Sequence, residues 1–483
     1  MTEPADLPLP PRRRRWRRLL WLLLPLALVA AAWLYMYHAG DRRLAEAVAE
    51  AERTDPHWRL DDILAERAKI PDEENGAVTA LAARAKRPAR WPWWDISQTP
   101  PDGREADAVL YEVLRQNLKP NEALTPAELE AMSREMKRDT APDAIEEARK
   151  LADQPRGRYP ITYSKDYIST VMPSIQSTRE VAQMLSYDAL FRAQSGDLDG
   201  AIVSCRALIN NARSIGDEPT LIAQLVRMAI RAIAIGRAER TLGLGEPSAD
   251  ELAVLQKAME EEAEEPLLRI AARGERGGMD RLMQALQDGN TSVKQMKGLM
   301  AGGITNQQGR WGETALLYIP GAVTSNRAVL LRYMNRLVEI SQLPPEQQVE
   351  PLDDLERDLR KEPLLVRELA PAVSKVAEAE RRTRAMLRCA AAGLAAERYR
   401  REHGRWPESL DDLKGKFLRE VPLDPYDGRP LRYRKDGEGI IIYAIWKDRQ
   451  DDGGDRAKLN TYQDGTDVGF RLWDVDKRRQ ERK

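Results

Sequence analysis

The sequence predicts a mainly α protein: an N-terminal transmembrane helix, an irregular helical array and a small C-terminal α+β domain. Three observations predict it. An uncharged apolar run covers residues 19–37, directly behind the basic stretch "PRRRRWRR". The middle of the 483-residue chain repeats apolar residues at helical spacing, separated by faces drawn from the 32% of residues that are charged. Only toward the C-terminus do Asp-Gly turns separate short β-branched and aromatic runs, the pattern of a small antiparallel sheet.

The apolar run suits one bilayer core at about 1.5 Å rise per residue, so residues 19–38 are expected to form a transmembrane helix. Trp16, Trp21, Trp33, Tyr35 and Tyr37 lie toward its ends, where amphipathic rings sit at a membrane interface, and Pro25 is tolerated within such a helix. Six arginines precede the run. By the positive-inside rule they place residues 1–18 in the cytoplasm as a basic tail and the bulk of the chain outside the cytoplasmic membrane. "VAAAWLYM" offers no clean small-x-small cleavage site, so the run is read as an uncleaved signal-anchor. The expected topology is single-pass, with the lipid bilayer as partner through residues 19–38.

Residues 39–170 read as a membrane-proximal, mostly helical region. "PDEEN" is an acidic turn suited to a helix start. "RPARWPWWDISQTPPDG" breaks the pattern, and Trp91, Trp93 and Trp94 are expected to cover helix ends rather than form a surface aromatic patch. "TPAELEAM" opens a helix with Thr125 as cap and Glu128 at the capping-box position.

Residues 171–372 form the expected helical domain. Val181, Met184, Leu185, Tyr187, Leu190 and Phe191 mark one helix face, and Ile202, Cys205, Leu208 and Ile209 the next. The polar turn "SGDLDG" between them makes an antiparallel hairpin. Over residues 193–201 the wording A-x-x-G-D-x-x-x-A, with Ala189, Gly196, Asp197 and Ala201 at the small and turn positions, resembles a tetratricopeptide hairpin. Further helices follow from "EPTLIAQL" and from Ser248. Residues 273–310 are glycine-rich and polar, which predicts a flexible insert, and "GLMAGGIT" lacks the lysine of a phosphate loop. Helix resumes with Asn326 as its expected cap and Leu330, Leu331, Met334, Leu337 and Val338 as its face.

Residues 373–483 read as one long helix plus a small sheet. Met386, Leu387, Ala390, Leu394 and Tyr399 form the helix face, Gly404 stops it and Pro407 starts a new element. "PLRYR", "GIIIYAI" and "VGFRLWDV" are the expected strands, with Asp427-Gly428 and Asp436-Gly437 as turn pairs. Tyr399, Gly404, Trp406, Pro407 and Leu410, then Asp424, Pro425, Gly428, Pro430, Leu431 and Tyr433, then "DRQDDGG", resemble the soluble domain of type II secretion major pseudopilins over residues 382–474. The resemblance implies a long helix followed by a small sheet, and an acidic, glycine-containing loop that binds calcium. Asp448, Asp451, Asp452 and Asp455 are the candidate calcium ligands, hard oxygen donors with glycines that let backbone carbonyls turn inward. The same residues also read as a solvated acidic turn beside Lys447 and Arg449. In the family the membrane helix runs directly into this domain; here more than three hundred residues intervene. The whole layout is also similar to that of planctomycete membrane-anchored proteins with helical middles.

Few function classes remain. The formal net charge of -1 names no nucleic-acid partner, and "AKRPARWPWW" is too brief a basic-aromatic stretch to supply one. The three histidines, His38, His57 and His403, fall in no nucleophile or metal motif. The two cysteines, Cys205 and Cys389, each sit in an apolar helical pattern, as buried thiols or as a bridge. The expectation is a membrane-anchored extracytoplasmic scaffold that binds a protein of the cell envelope. The alternative is an extracytoplasmic hydrolase with a carboxylate-based site.

Overall fold

The computed structural model describes residues 13–88, 91, 118–292, 321–371, 373–455 and 466–481. Its first element is a long helix, α1 (Arg13–Thr54). The apolar run lies inside it and continues without interruption into the charged segment from Asp41 onward. Among the described residues no helix is long and apolar enough to cross a membrane. This corrects the transmembrane helix expected at residues 19–38. With it fall the signal-anchor, the bilayer partner, the single-pass topology and the extracytoplasmic scaffold that rested on them. Most side chains of residues 19–37, including Trp21, Pro25, Trp33 and Tyr37, lie outside the described residues. The second half of α1 is an ordinary packing helix: Ala47 and Ala51 are buried against Trp58 and Leu331, and Asn335 Nδ2 donates to the Ala47 carbonyl at 3.1 Å.

The short helix α2 (Leu60–Glu66) and then α3 (Gly76–Lys86) follow. Next come α4 (Pro126–Met136), with the expected Thr125–Glu128 capping box, and α5 (Ala141–Arg149). Trp91 is fully buried, its indole N–H donating to the Glu135 carbonyl at 3.1 Å; Trp93 and Trp94 lie outside the described residues.

The hairpin of α6 (Pro173–Ser195) and α7 (Leu198–Arg213) sits at the centre of the array. Gly196 at φ +90 ends α6, a left-handed turn that favours glycine, and the Asp197 carboxylate caps α7 by accepting from Gly200 N at 2.9 Å. Val181, Met184, Leu185, Ile202, Cys205, Leu208 and Ile209 are all fully buried between these helices and their neighbours. α8 (Leu221–Leu244) and α9 (Ala249–Ala263), capped by Thr220 and Ser248, extend the stack.

Residues 273–287, expected as flexible insert, are instead part of α10 (Leu267–Gln287). Its glycines serve close packing: a Cβ at Gly274, Gly277 or Gly278 would run into Pro219, Leu60 or the Tyr167 ring. The rest of the expected insert, from residue 293, lies outside the described residues. α11 (Ala322–Ile340) starts behind Gly321, so Asn326 is not its cap; its amide lies within the first turns and donates to the Ala322 carbonyl at 2.7 Å. α12 (Val349–Leu359) and α13 (Leu364–Leu369) lead into α14 (Val373–His403).

α14 joins two hydrophobic cores. Val373, Val376 and Ala377 belong to the core of α10 to α13. Ala385, Leu387, Ala390 and Leu394 belong to the larger core shared with α3, α6 to α9 and the sheet. Gly404, at φ +72, terminates the helix as expected. Strands β1 (Arg432–Lys435), β2 (Gly439–Ala444) and β3 (Val468–Trp473) form one antiparallel sheet in that order, with Arg432 opposite Tyr443 and Ile442 opposite Phe470. β2 and β3 lie on α14, and β3 also touches α8. The tail closes the joint: Arg478 pairs with buried Glu397 at 2.9 Å, and Gln480 N donates to the Asn121 carbonyl at 2.8 Å. The C-terminal unit is therefore built into the helical array.

Candidate metal loop and buried acidic sites

The C-terminal motif residues act mainly as structural fasteners. Tyr399 stacks on His403 at 4.1 Å and meets Phe417 edge-on at 5.6 Å. The Trp406 indole donates to Asp474 at 2.6 Å, and the Tyr433 hydroxyl donates to the Pro407 carbonyl at 2.6 Å. Gly428 at φ +73 closes the turn that begins at Asp424 and buried Pro425, and Leu423 bridges to Pro430 across it. Asp424 is fully buried and accepts from Tyr426 N and Ile445 N, both at 2.8 Å. Burial raises its carboxyl to about 6 despite those donors.

The four candidate calcium ligands do not meet at one point. Asp448 caps its own turn through Gln450 N at 3.3 Å. Asp451 is occupied by three donors: Gly453 N at 2.9 Å, the Tyr443 hydroxyl at 3.1 Å and Arg432 Nε at 3.1 Å. Asp452 and Asp455 are exposed, and use backbone atoms to reach the segment before β3. Among the described residues no group of three or more histidine, cysteine, aspartate or glutamate side chains is placed to hold a metal ion. Residues 456–465 of the same loop lie outside the described residues.

Among the described residues the loop has a buried acid that sequence reasoning passed over. Asp467, just before β3, is 6% exposed. Its Oδ2 accepts from Asp452 N at 3.1 Å and from Gly454 N at 2.7 Å, a geometry made by Gly453 and Gly454 at φ +70 and +76. Its Oδ1 is buried without a hydrogen-bond partner among the described residues. Burial pushes this carboxyl up to about 6, with Asp451 and Asp452 adding to the rise. An acid directly preceding an apolar strand and following an acidic loop was the available signal. A buried oxygen with no partner among the described residues is of the kind a hard divalent cation takes, while Asp451, Asp452 and Asp467 form no three-membered metal cluster.

Several acids of the helical array are paired with arginines. Glu262 on α9 is fully buried and accepts from Arg213 at 3.1 Å, from Arg227 at 2.7 and 2.8 Å and from Arg231 at 2.7 Å. Two surface clefts flank this array. One, of about 420 Å³, is lined by Ile145, Arg149, Asp188, Phe191 and Arg192. The other, of about 510 Å³, is lined by Lys69, Arg156, Asp217, Arg227 and Glu265. Asp188 is paired with Arg149 at 2.8 Å and Arg192 at 3.0 Å, Asp217 with Arg67 at 2.7 Å, and Glu265 with Arg227 at 3.5 Å. Each of these cleft carboxylates is engaged by an arginine, and among the described residues no group of three or more metal-ligating side chains forms a catalytic centre, so the expected carboxylate-based hydrolase site is corrected.

His57 pairs with Glu66 at the surface, and His403 is committed to Tyr399. Cys205 and Cys389 are both buried and neither is in a disulfide, which settles the choice in favour of thiols. No protein family, no curated protein and no solved structure matches this chain.

Proposed function

We propose that the C-terminal unit is a calcium-binding module of the pseudopilin kind, with a divalent cation held at the loop between β2 and β3. The observation that carries this reading is Asp467 Oδ1, buried and without a partner among the described residues, beside Asp451 and Asp452. Bound calcium would supply that missing partner and offset repulsion among the acids, linking the loop to the start of β3. Side-chain donors would come from Asp467 and Asp452, with Asp451 held alongside by Tyr443 and Arg432. The helix of this module, α14, has its middle buried under α8, α9 and the sheet. That burial favours a module fixed within one chain over one that polymerises through its helix.

The test is calorimetric titration of the full chain with Ca²⁺, with thermal unfolding in calcium and in chelator. Calcium at 100 times its Kd should stabilise the fold by about 2.7 kcal/mol. Asp467→Asn should weaken binding at least about tenfold, the size expected for loss of an anchoring group. No binding by the wild-type chain, or unchanged binding by the variant, would exclude the reading.

A further inference from the structure

Arg432 opens β1 and stands opposite Tyr443 in β2. Both side chains grip Asp451, Arg432 through Nε at 3.1 Å and Tyr443 through its hydroxyl at 3.1 Å. The same guanidinium reaches Asp424 and Asp427, each at 2.6 Å. One cation thus serves three carboxylates, two from the turn before β1 and one from the loop after β2. Arginine alone has the planar fork for this, since five N–H donors leave one rigid group in three directions.

We propose that Arg432 is a built-in counter-cation of the loop, compensating its acids in the metal-free protein and opposing the entry of a divalent cation next to Asp451. This rests on the calcium reading above and adds how the site's affinity is set. A positive charge one side chain away from the metal repels it, while Asp451 keeps Gly453 N and Tyr443 to hold it in place if Arg432 is removed. The guanidinium also fastens the buried Asp424, so its removal weakens the metal-free fold. Tighter calcium binding and lower stability in chelator should therefore come together. A residue that merely shaped the loop would lose both.

The experiment compares the full-length wild type with Arg432→Gln and Tyr443→Phe by Ca²⁺ titration and by thermal unfolding in chelator. Arg432→Gln should bind Ca²⁺ about fivefold more tightly, the scale set by one charge several ångströms from a divalent ion in a solvated site, and should unfold at lower temperature in chelator. Tyr443→Phe removes one of the three donors on Asp451 without changing charge, leaving Gly453 N and Arg432 in place, and should tighten binding less than Arg432→Gln does. If Arg432→Gln binds no more tightly than a wild type that does bind, the counter-cation role is overturned and the calcium site stands. If Tyr443→Phe tightens binding as much, freeing Asp451 is the cause and the role is again overturned. Absence of calcium binding in the wild type removes both readings together.

Discussion

Two buried glutamates show how differently one residue type behaves in this fold. Glu262, in the junction of α7, α8 and α9, is wholly inaccessible. Burial alone would raise its carboxyl, but Arg227 and Arg231, with Arg213, outweigh that and bring it down to about 2. Glu275 on α10 is also buried, yet its partners are neutral: Leu221 N donates to it at 2.9 Å, and the Tyr167 hydroxyl donates to it. Burial lifts it to about 7 against those two donors. At Glu275 the neutral donors only soften the desolvation, whereas at Glu262 the arginines reverse it.

The strongest way to break the contrast is Glu262→Gln. It strands three arginines around a neutral side chain, Arg231 being itself fully buried. Denaturant unfolding at pH 7 should show a loss of about 3–5 kcal/mol, the cost of breaking a buried ion pair from one side. A loss under 1 kcal/mol would mean that the cluster is open to water.

Glu275→Gln should act in the opposite sense. The folded carboxyl, at about 7, lies above its ordinary 4.5, so the folded state binds the extra proton. The stability this contributes is complete below pH 4.5 and is lost as pH rises through 7, about 3 kcal/mol in all. The variant should therefore match the wild type near pH 4.5 and exceed it by about 3 kcal/mol at pH 8. Parallel pH profiles for the two proteins would refute the shift.

The smallest change is Tyr167→Phe. Removing the hydroxyl deletes a donor that favours the charged form, so the Glu275 midpoint should move higher, with a stability loss of about 1 kcal/mol at pH 8. A midpoint that moves down would show that the hydroxyl had favoured the neutral acid.

Much of the local structure was legible because it depends on neighbours in sequence. Thr125 with Glu128, Ser248 before α9, Gly404 after α14 and Asp436-Gly437 between β1 and β2 each perform the task their local pattern indicated. The apolar faces of α6 and α7 were readable for the same reason, since helical periodicity is local. Where glycine was taken as a sign of flexibility, as in residues 273–287, the reading failed: Gly274, Gly277 and Gly278 answer to Pro219, Leu60 and Tyr167, which come from distant segments.

The candidate loop divides along the same line. Its acidic composition was plain, but Asp451 turned out to be engaged by Arg432 and Tyr443, and the acid buried among the described residues is Asp467. No pattern of neighbours distinguishes an acid that meets an arginine from one that meets only amides.

By itself the sequence determined the helix and turn boundaries that local signals mark, such as the Thr125 and Ser248 caps and the Gly404 stop, because these act within a few residues. Only the tertiary structure decided that α1 is an unbroken helix packing on α11, that arginines hold the Glu262 carboxyl well down while burial lifts that of Glu275, and that Asp467 Oδ1 is buried with no partner among the described residues. Those outcomes depend on desolvation and on cations brought close by folding, quantities set by distance in space.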